Sequence, residues 1–140
     1  FKQKTAYEML RSLVGSEMCI RDRYIVKNRE HKDDLEKNIG IMNEFELREW
    51  LVKNIKGFGM KEASHFMRNI GFSDVAIIDF HIVDLLARYG IIKKPEKKSL
   101  SRKQYLEIES ILREIAKKSK LNLAELDLYL WYIETGKILK

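Results

Sequence analysis

The spacing of apolar residues along the chain predicts helices rather than strands. From position 43 onwards, large apolar side chains recur three and four residues apart, a period that places them along one face of a helix. Three runs begin with the spacing of a capping box, at Asn43–Glu46, Ser101–Gln104 and Asn122–Glu125. The apolar positions are Leu47, Trp50, Leu51 and Ile55; Met60, Ala63, Phe66, Met67 and Ile70; Ile82, Leu85, Leu86 and Tyr89; Tyr105, Ile108, Leu112 and Ile115; and Leu126, Leu130 and Ile133.

Glycines predict where these helices end. The sequence Gly57-Phe58-Gly59 breaks the first helix, and Gly71, Gly90 and Gly136 stand where the second, third and last should stop. Asp79 occupies the N-cap position of the third helix. We therefore predict an all-α protein.

Three stretches fit this pattern less well. The apolar run Val75–Ile78 is too short to assign to a strand or a buried loop, and Ile91–Leu100 reads as a basic loop around Pro95. The alternation in Leu126–Leu130 also permits a strand, but its cap and its length favour a helix.

Residues 1–23 do not continue the helical pattern. The segment Arg11–Arg23 has no sustained period and resembles a peptide translated from sequencing-adapter DNA. We expect residues 1–23 to be foreign to the domain and the domain to be truncated at its N-terminus; an ordinary loop is the alternative. Phe1, in place of Met, agrees with a fragment.

Composition excludes several classes of protein. The chain has 140 residues, of which 45% are hydrophobic and 34% charged, as in globular domains. The single cysteine, Cys19, excludes a disulfide framework, a thiolate zinc site and a four-cysteine iron–sulfur cluster within the chain. No apolar run is long enough for a membrane span. A net charge of +6 suits a polyanionic partner without proving one.

The richest chemistry lies at the turn Gly57–Gly59 between two predicted helices. A Gly-x-Gly turn leaves backbone amides free to point outwards, and the helix that starts at Met60 adds the positive end of its dipole. Together they suit a DNA phosphate, bound without regard to base sequence. The flanking Lys53, Lys56 and Lys61 strengthen this interpretation, which is a helix-hairpin-helix DNA-binding motif.

Lys61 has two interpretations. With His65 and Arg68 it lies opposite the apolar face of its helix, so the three side chains can simply form a solvated basic stripe. Alternatively, the helix N-terminus and neighbouring cations favour a neutral amine, which can attack the anomeric carbon of a deoxyribose and leave a Schiff base.

Such an amine needs a carboxylate to stabilise positive charge on the sugar and to handle protons. Asp79 is the candidate, and a role as helix cap is compatible with it. His81 follows in the first turn of the same helix. Because His31, His65 and His81 lack metal-ligand spacing, we expect no metal and no other cofactor.

A lysine two residues after a Gly-x-Gly hairpin, followed 18 residues later by Asp-x-His, resembles the helix-hairpin-helix DNA glycosylase superfamily. Four segments specifically resemble the archaeal-type (type 2) 8-oxoguanine DNA glycosylase/lyases, over a region from about Tyr24 to Lys140. These segments are Lys61–Phe66, Val75–Asp79, Tyr105–Glu109 and Leu126–Tyr132.

The resemblance implies a repair enzyme that excises 8-oxoguanine from double-stranded DNA and then cleaves the strand by β-elimination. Lys61 would be the Schiff-base nucleophile and Asp79 the catalytic carboxylate, while Trp131 and the C-terminal Lys140 would line the base pocket. Lys56 would join the residues that contact DNA, and Gly57, Phe58 and Gly59 would hold a phosphate, with His81 as a further phosphate contact. The family also implies a cytoplasmic, monomeric protein that acts on the prokaryotic chromosome.

The chain departs from the family pattern at two places. Phe80 replaces a basic residue that usually follows the catalytic aspartate, and the helices that precede Tyr24 in the family have no counterpart in residues 1–23. Three alternatives stay open: a non-catalytic helix-hairpin-helix module that binds duplex DNA, a glycosylase for another lesion, and a basic helical protein that binds an acidic partner.

Overall fold

The computed structural model describes residues 28–136, and within this range every regular element is helical. This confirms the all-α prediction. Each helix predicted from position 43 onwards is present within a few residues of its expected ends. A 3₁₀ turn at Arg29–His31 is followed by α1 (Lys32–Ile41), α2 (Glu44–Asn54), α3 (Met60–Asn69), α4 (Phe80–Arg88), α5 (Arg102–Lys118) and α6 (Leu123–Thr135).

The predicted helix caps form as the sequence indicates. Asn43 Oδ1 accepts a hydrogen bond from the Glu46 amide at 2.9 Å, and Glu46 Oε2 accepts one from the Asn43 amide at 3.2 Å. The same reciprocal pairs form at Ser101–Gln104 and Asn122–Glu125. Gly136 ends α6 with φ of 66°, a left-handed conformation that favours glycine.

Helix α1 was not predicted, and its composition explains why. Its ten residues include only three large apolar side chains, and Gly40 stands near its end. Leu35 and Ile39 pack against the core, whereas Ile41 is 68% exposed. A helix that buries so narrow a face depends on tertiary packing more than on its own periodicity.

The unassigned run Val75–Ile78 is an extended segment that lies between two hydrophobic clusters. Val75 packs into the cluster of α2 and α3, while Ala76 and Ile78 pack into the cluster of α4, α5 and α6. Successive side chains of an extended chain point to opposite sides, so this one segment fills both clusters. It ends at Asp79, the cap of α4.

A buried ion pair joins the two halves of this core. Arg48 on α2 and Glu109 on α5 each have side chains only 1% exposed. Arg48 Nη1 donates to Glu109 Oε2, and Arg48 Nη2 donates to Glu109 Oε1 at 2.8 Å. Burial acts to raise the pKa of Glu109, but the hydrogen bonds and charge of Arg48 outweigh it and lower that pKa.

We predict that Glu109→Gln destabilises the fold by about 3–5 kcal/mol, because it leaves the Arg48 charge buried without its counter-ion. Urea unfolding measures the change. The control is Arg102→Gln, which breaks an ion pair with Glu49 in which the arginine side chain is 61% exposed. That substitution should cost less than about 1 kcal/mol. Equal losses in the two variants would contradict the special role of the buried pair.

The same pair predicts a sensitivity to acid. Since the folded-state pKa of Glu109 lies below its ordinary value of 4.5, its carboxylate contributes its full stabilisation above that pH. The contribution disappears as the pH falls through the folded-state pKa. The difference in unfolding free energy between the unsubstituted protein and Glu109→Gln should therefore be constant from pH 7 to about 5 and shrink below about 4. A difference that grows on acidification would refute this.

Candidate active site

The turn between α2 and α3 has the shape expected of a hairpin. Gly57 has φ of 93°, which a residue with a side chain rarely adopts. Ile55 is buried, and Phe58 packs on Phe66 with ring centroids 5.9 Å apart. The Phe58 amide donates to the Ile55 carbonyl at 3.2 Å, which closes the turn. The two apolar side chains thus anchor a backbone that faces outwards.

Not all amides of this turn are available to a phosphate. The Lys56 amide donates to Asn28 Oδ1 at 3.0 Å, and the Gly59 amide donates to Glu62 Oε2 at 3.0 Å. No partner for the Gly57 amide is found among residues 28–136. Helix α3 also begins here, with the unpaired amides of its first turn. The Gly57 amide and the amides of the first turn of α3 are therefore free to bind a phosphate. The Gly59 amide becomes free only when the Glu62 carboxylate is displaced.

Lys61 and Asp79 line one cavity of about 230 Å³. Lys61 lies in the first turn of α3, and Asp79 is the N-cap of α4. The hairpin fixes where α3 begins and so where Lys61 lies. The extended segment Val75–Ile78 leads directly to Asp79, which lines the same cavity. The walls also include Glu62, Lys98 and Tyr105. Lys61 and Asp79, the amine and the carboxylate predicted from the sequence, are 18 residues apart in the chain and line the same cavity.

Asp79 keeps one carboxylate oxygen free for chemistry. Its Oδ1 accepts a hydrogen bond from the Ile82 amide at 3.0 Å, which makes it the cap of α4. Its Oδ2 has no hydrogen-bond partner within the described part of the chain. The cap therefore fixes the carboxyl group at the helix terminus and leaves the second oxygen for a ligand.

His81 and Trp131 lie beside each other at the junction of α4 and α6. Their ring centroids are 6.1 Å apart and their planes nearly perpendicular, at 85°. The Nε1 atom of Trp131 is buried and has no hydrogen-bond partner among residues 28–136. Lys140, the other residue predicted to contact the base, lies outside the described residues, as do residues 1–23.

Arg68 does not belong to a solvated basic stripe. Lys61 and His65 are exposed as that interpretation requires, but the Arg68 side chain is only 14% exposed. Its Nη2 donates to the carbonyl of Ala124 at 3.2 Å, and its Nη1 lies 3.5 Å from Asp127 Oδ2. Arg68 lies in the last turn of α3, where residues of α6 are close enough to pair with it, and the spacing alone did not reveal this contact.

Asp127 is a second carboxylate near the site that sequence reasoning missed. Burial raises the pKa of Asp127, and the negative charge of Asp79 adds to this rise, against the opposing effect of Arg68. The carboxylate stands between apolar residues in the sequence, without a spacing that suggests chemistry. Its only sequence signal is its place between Leu126 and Leu128, and the helix also carries the charged residues Glu125 and Glu134.

Two further properties concern metals and membranes. Residues 28–136 contain no group of three or more His, Cys, Asp or Glu side chains arranged to hold a metal ion. None of the helices in that range has both the length and the apolar character needed to cross a membrane.

Comparison with known proteins identifies the relatives of this chain. Residues 2–121 match the family model of the 8-oxoguanine DNA glycosylases. The chain belongs to the 8-oxoguanine DNA glycosylase family. This confirms the resemblance seen in the sequence and the helix-hairpin-helix glycosylase fold that it implied.

Two curated relatives in the family are the 8-oxoguanine DNA glycosylase/AP lyases of Korarchaeum cryptofilum and Methanocaldococcus jannaschii. The first is 69% identical over 94 residues, which are 67% of this chain and 44% of that protein. The second is 52% identical over 120 residues, which are 86% of this chain and 58% of that protein. The chain therefore spans about half the length of these family members.

Solved structures of the family show the same fold. One is the Methanocaldococcus jannaschii 8-oxoguanine glycosylase/lyase in complex with a 15mer DNA containing 8-oxoguanine, with a TM-score of 0.81 and 46% identity. The region that superposes covers 94% of this chain and 66% of the Methanocaldococcus jannaschii chain. The Thermotoga maritima 8-oxoguanine DNA glycosylase gives a TM-score of 0.78 at 40% identity, covering 94% and 65%.

The capping role of Asp79 can be separated from any chemical role. We predict that Asp79→Asn changes the free energy of unfolding by less than about 0.5 kcal/mol, since asparagine caps a helix as well as aspartate does. Asp79→Ala should cost about 1 kcal/mol, because the Ile82 amide loses its acceptor. Chemical denaturation of the three proteins measures both. A loss in Asp79→Asn as large as in Asp79→Ala would show that charge, and not capping, sustains this helix end.

Proposed function

We propose that the full-length protein carrying this sequence is a bifunctional DNA glycosylase and AP lyase for base-excision repair. It would remove 8-oxoguanine from duplex DNA through a lysine Schiff base and then cut the strand by β-elimination. The cavity that brings Lys61 and Asp79 together is the observation that carries this proposal. Membership of the family and the activities named for the relatives support it.

In the first step, the uncharged amine of Lys61 attacks C1′ of the damaged nucleotide. A bond from Nζ to C1′ forms as the glycosidic bond breaks, and the base leaves with the bonding electrons and takes up a proton. Positive charge develops on the sugar in this step, and the Asp79 carboxylate beside it stabilises that charge. The free Oδ2 of Asp79 is suited to accept the proton that the attacking nitrogen gives up.

In the second step, the C1′–O4′ bond breaks and O4′ takes up the proton that Asp79 holds, which leaves an iminium, the Schiff base between C1′ and Lys61. The iminium makes the C2′ proton acidic, because the electrons left behind are delocalised onto nitrogen. The Asp79 carboxylate, again unprotonated, is suited to take that proton, and the phosphate leaves C3′ with the bonding electrons, which cuts the strand on the 3′ side of the lesion. Water then hydrolyses the iminium and regenerates the Lys61 amine.

DNA binding is assigned to residues other than Lys61 and Asp79. We assign backbone contacts to Lys56, the hairpin Gly57–Gly59 and His81, so that affinity should fall steeply with salt. Trp131 and Lys140 are assigned to the extruded base. Contact between the rings of His81 and Trp131 supports this assignment, because the proposed phosphate contact and the proposed base contact are then neighbouring side chains. Extrusion itself costs a few kcal/mol, which pocket contacts offset.

The rest of the base pocket would come from the part of the full-length protein beyond the region shared with this chain. Helix α6 supports this view, because four of its large hydrophobic side chains are more than half exposed. Surfaces of this kind commonly mark sites covered by another segment or partner. We propose that the N-terminal part of the full-length protein covers them, and that the protein works as a monomer with the chromosome in the cytoplasm. The four side chains are Leu128, Tyr129, Tyr132 and Ile133.

Borohydride trapping of the full-length protein on a duplex containing 8-oxoguanine tests the mechanism. Reduction of the Schiff base should give a covalent adduct with the unsubstituted protein and none with Lys61→Gln. Asp79→Asn, which keeps the helix cap, should slow adduct formation by about 100-fold or more. The control is Lys118→Gln, an exposed lysine at the end of α5 that carries the same change of charge.

The outcomes separate the proposal from its alternatives. A normal adduct with Lys61→Gln would overturn the assignment of the nucleophile. No adduct with the unsubstituted protein, together with tight and salt-sensitive binding to any duplex, would identify a non-catalytic DNA-binding module instead. An adduct on a duplex with an oxidised pyrimidine, but not on one with 8-oxoguanine, would keep the chemistry and change the lesion.

A further inference from the structure

A row of polar side chains on α5 holds the extended segment that leads to Asp79. Tyr105, Glu109 and Arg113 are spaced four residues apart, so they lie along one face of the helix. Arg113 Nη2 donates to the Asp74 carbonyl at 3.1 Å, and Glu109 Oε2 accepts from the Ala76 amide at 3.1 Å. Together with the contacts of Tyr105, they fall on alternate residues of the segment, Asp74, Ala76 and Ile78, which leads to Asp79.

Tyr105 makes the contacts nearest to Asp79. Its hydroxyl donates to the Ala76 carbonyl at 2.7 Å and accepts from the Ile78 amide at 3.2 Å. Ile78 directly precedes Asp79 in the chain. The side chain of Tyr105 is 3% exposed, and burial raises its pKa, which keeps the hydroxyl protonated and able to donate.

The hydrogen bonds from Tyr105, Glu109 and Arg113 take the place of those that a neighbouring β-strand would make. An extended segment presents backbone donors and acceptors that must be satisfied when it is buried. Within residues 28–136 no strand pairs with residues 75–78, so side chains from a helix supply the missing hydrogen bonds. Side-chain hydrogen bonds to particular backbone atoms also fix the register of the segment, and so the position of its last residue.

The same hydroxyl also reaches the helix that carries Lys61. It lies 3.4 Å from Ser64 Oγ, and Ser64 is one turn along α3 from Lys61. Tyr105 lines the cavity that Lys61 and Asp79 share. One buried oxygen atom therefore contacts α3 and the segment that ends at Asp79.

We propose that the Tyr105 hydroxyl is a positioning group that sets the Asp79 carboxylate relative to the Lys61 amine. Its hydroxyl is occupied by backbone groups and lies beside Ser64, so it acts through these contacts as a positioning residue and not as a catalytic residue. The inference rests on the proposed function, because the geometry matters only if the two groups react together. A misplacement of about 1 Å in such a pair can cost on the order of 100-fold in rate.

Tyr105→Phe in the full-length protein tests this, because it removes one oxygen atom and keeps the ring. The experiment is single-turnover borohydride trapping with saturating protein on a duplex containing 8-oxoguanine. The rate constant should fall roughly 10- to 100-fold, while the amplitude and the Kd for the duplex stay unchanged. A purely structural role would lower the amplitude, which reports the folded fraction, and leave the rate constant unaltered.

The matched control is Tyr89→Phe, which removes a hydroxyl from a tyrosine that is 67% exposed at the far end of α4 from Asp79. Its rate constant should equal that of the unsubstituted protein. Amide hydrogen exchange, which needs no reaction, should become faster at Ile78 in Tyr105→Phe and not in Tyr89→Phe.

The possible failures are distinguishable. Absence of an adduct in the unsubstituted protein overturns the proposed function. A normal rate constant in Tyr105→Phe, with a normal adduct in the unsubstituted protein, overturns only the positioning role. If Tyr105→Phe does not fold, Ser64→Ala replaces it. That substitution removes the contact of the hydroxyl with α3, together with the hydrogen bond from Arg48 Nη1, and should lower the rate constant about threefold at full amplitude; an unchanged rate constant would overturn the inference.

Discussion

The buried ion pair of Arg48 and Glu109 is the interaction on which the geometry of the candidate site depends. Two charges removed from water are costly to bury, and their attraction offsets that cost better when further hydrogen bonds satisfy the remaining donors and acceptors. Here Arg48 Nη1 also donates to Ser64 Oγ at 3.2 Å and Glu109 accepts from the Ala76 amide, whereas the buried Arg48 Nε has no hydrogen-bond partner among residues 28–136. The pair thereby joins α2, α3 and α5 to the extended segment. Its requirement for several simultaneous partners selects one arrangement of these elements over other packings of similar apolar area.

That arrangement places Lys61 and Asp79, the two proposed reactive groups, at the beginnings of helices. Lys61 lies in the first turn of α3, and Asp79 caps α4. Helix N-termini carry partial positive charge and unpaired amides, so their convergence favours an anionic ligand such as the DNA backbone. Neither helix could be shifted without disturbing the apolar residues on either side of the extended segment.

Local features of the sequence predicted most of the fold, and long-range contacts account for what it did not predict. Capping boxes and glycine stops depend on neighbours within four residues, so Asn43, Ser101 and Asn122 mark their helices reliably. Helix α1 escaped prediction because its stability comes from packing. The spacing of Tyr105 and Glu109 places them on one helical face, but nothing in the sequence shows that the face holds residues 76–78, about 30 positions away.

The same reasoning separates the two carboxylates of the site. Asp79 could be predicted because it caps a helix and directly follows an apolar run, and both features are visible in neighbouring residues of the sequence. Asp127 could not, because its pKa is raised first by burial and is then affected by the charges of Arg68 and Asp79, which lie on other elements.

The contact between Arg68 and Asp127 joins the helix that carries Lys61 to the helix that carries Trp131. Arg68 lies on the helix that carries Lys61, and Asp127 is one turn before Trp131 on α6. Arg68 also donates to the Ala124 carbonyl at the start of α6, so two contacts fix that helix against α3. In the proposed mechanism, the base that Trp131 would hold and the sugar that Lys61 would attack are parts of one nucleotide, and their separation is fixed by covalent bonds. The two helices must therefore keep a matching separation, and a partly buried ion pair with a second hydrogen bond beside it provides that constraint without entering the cavity.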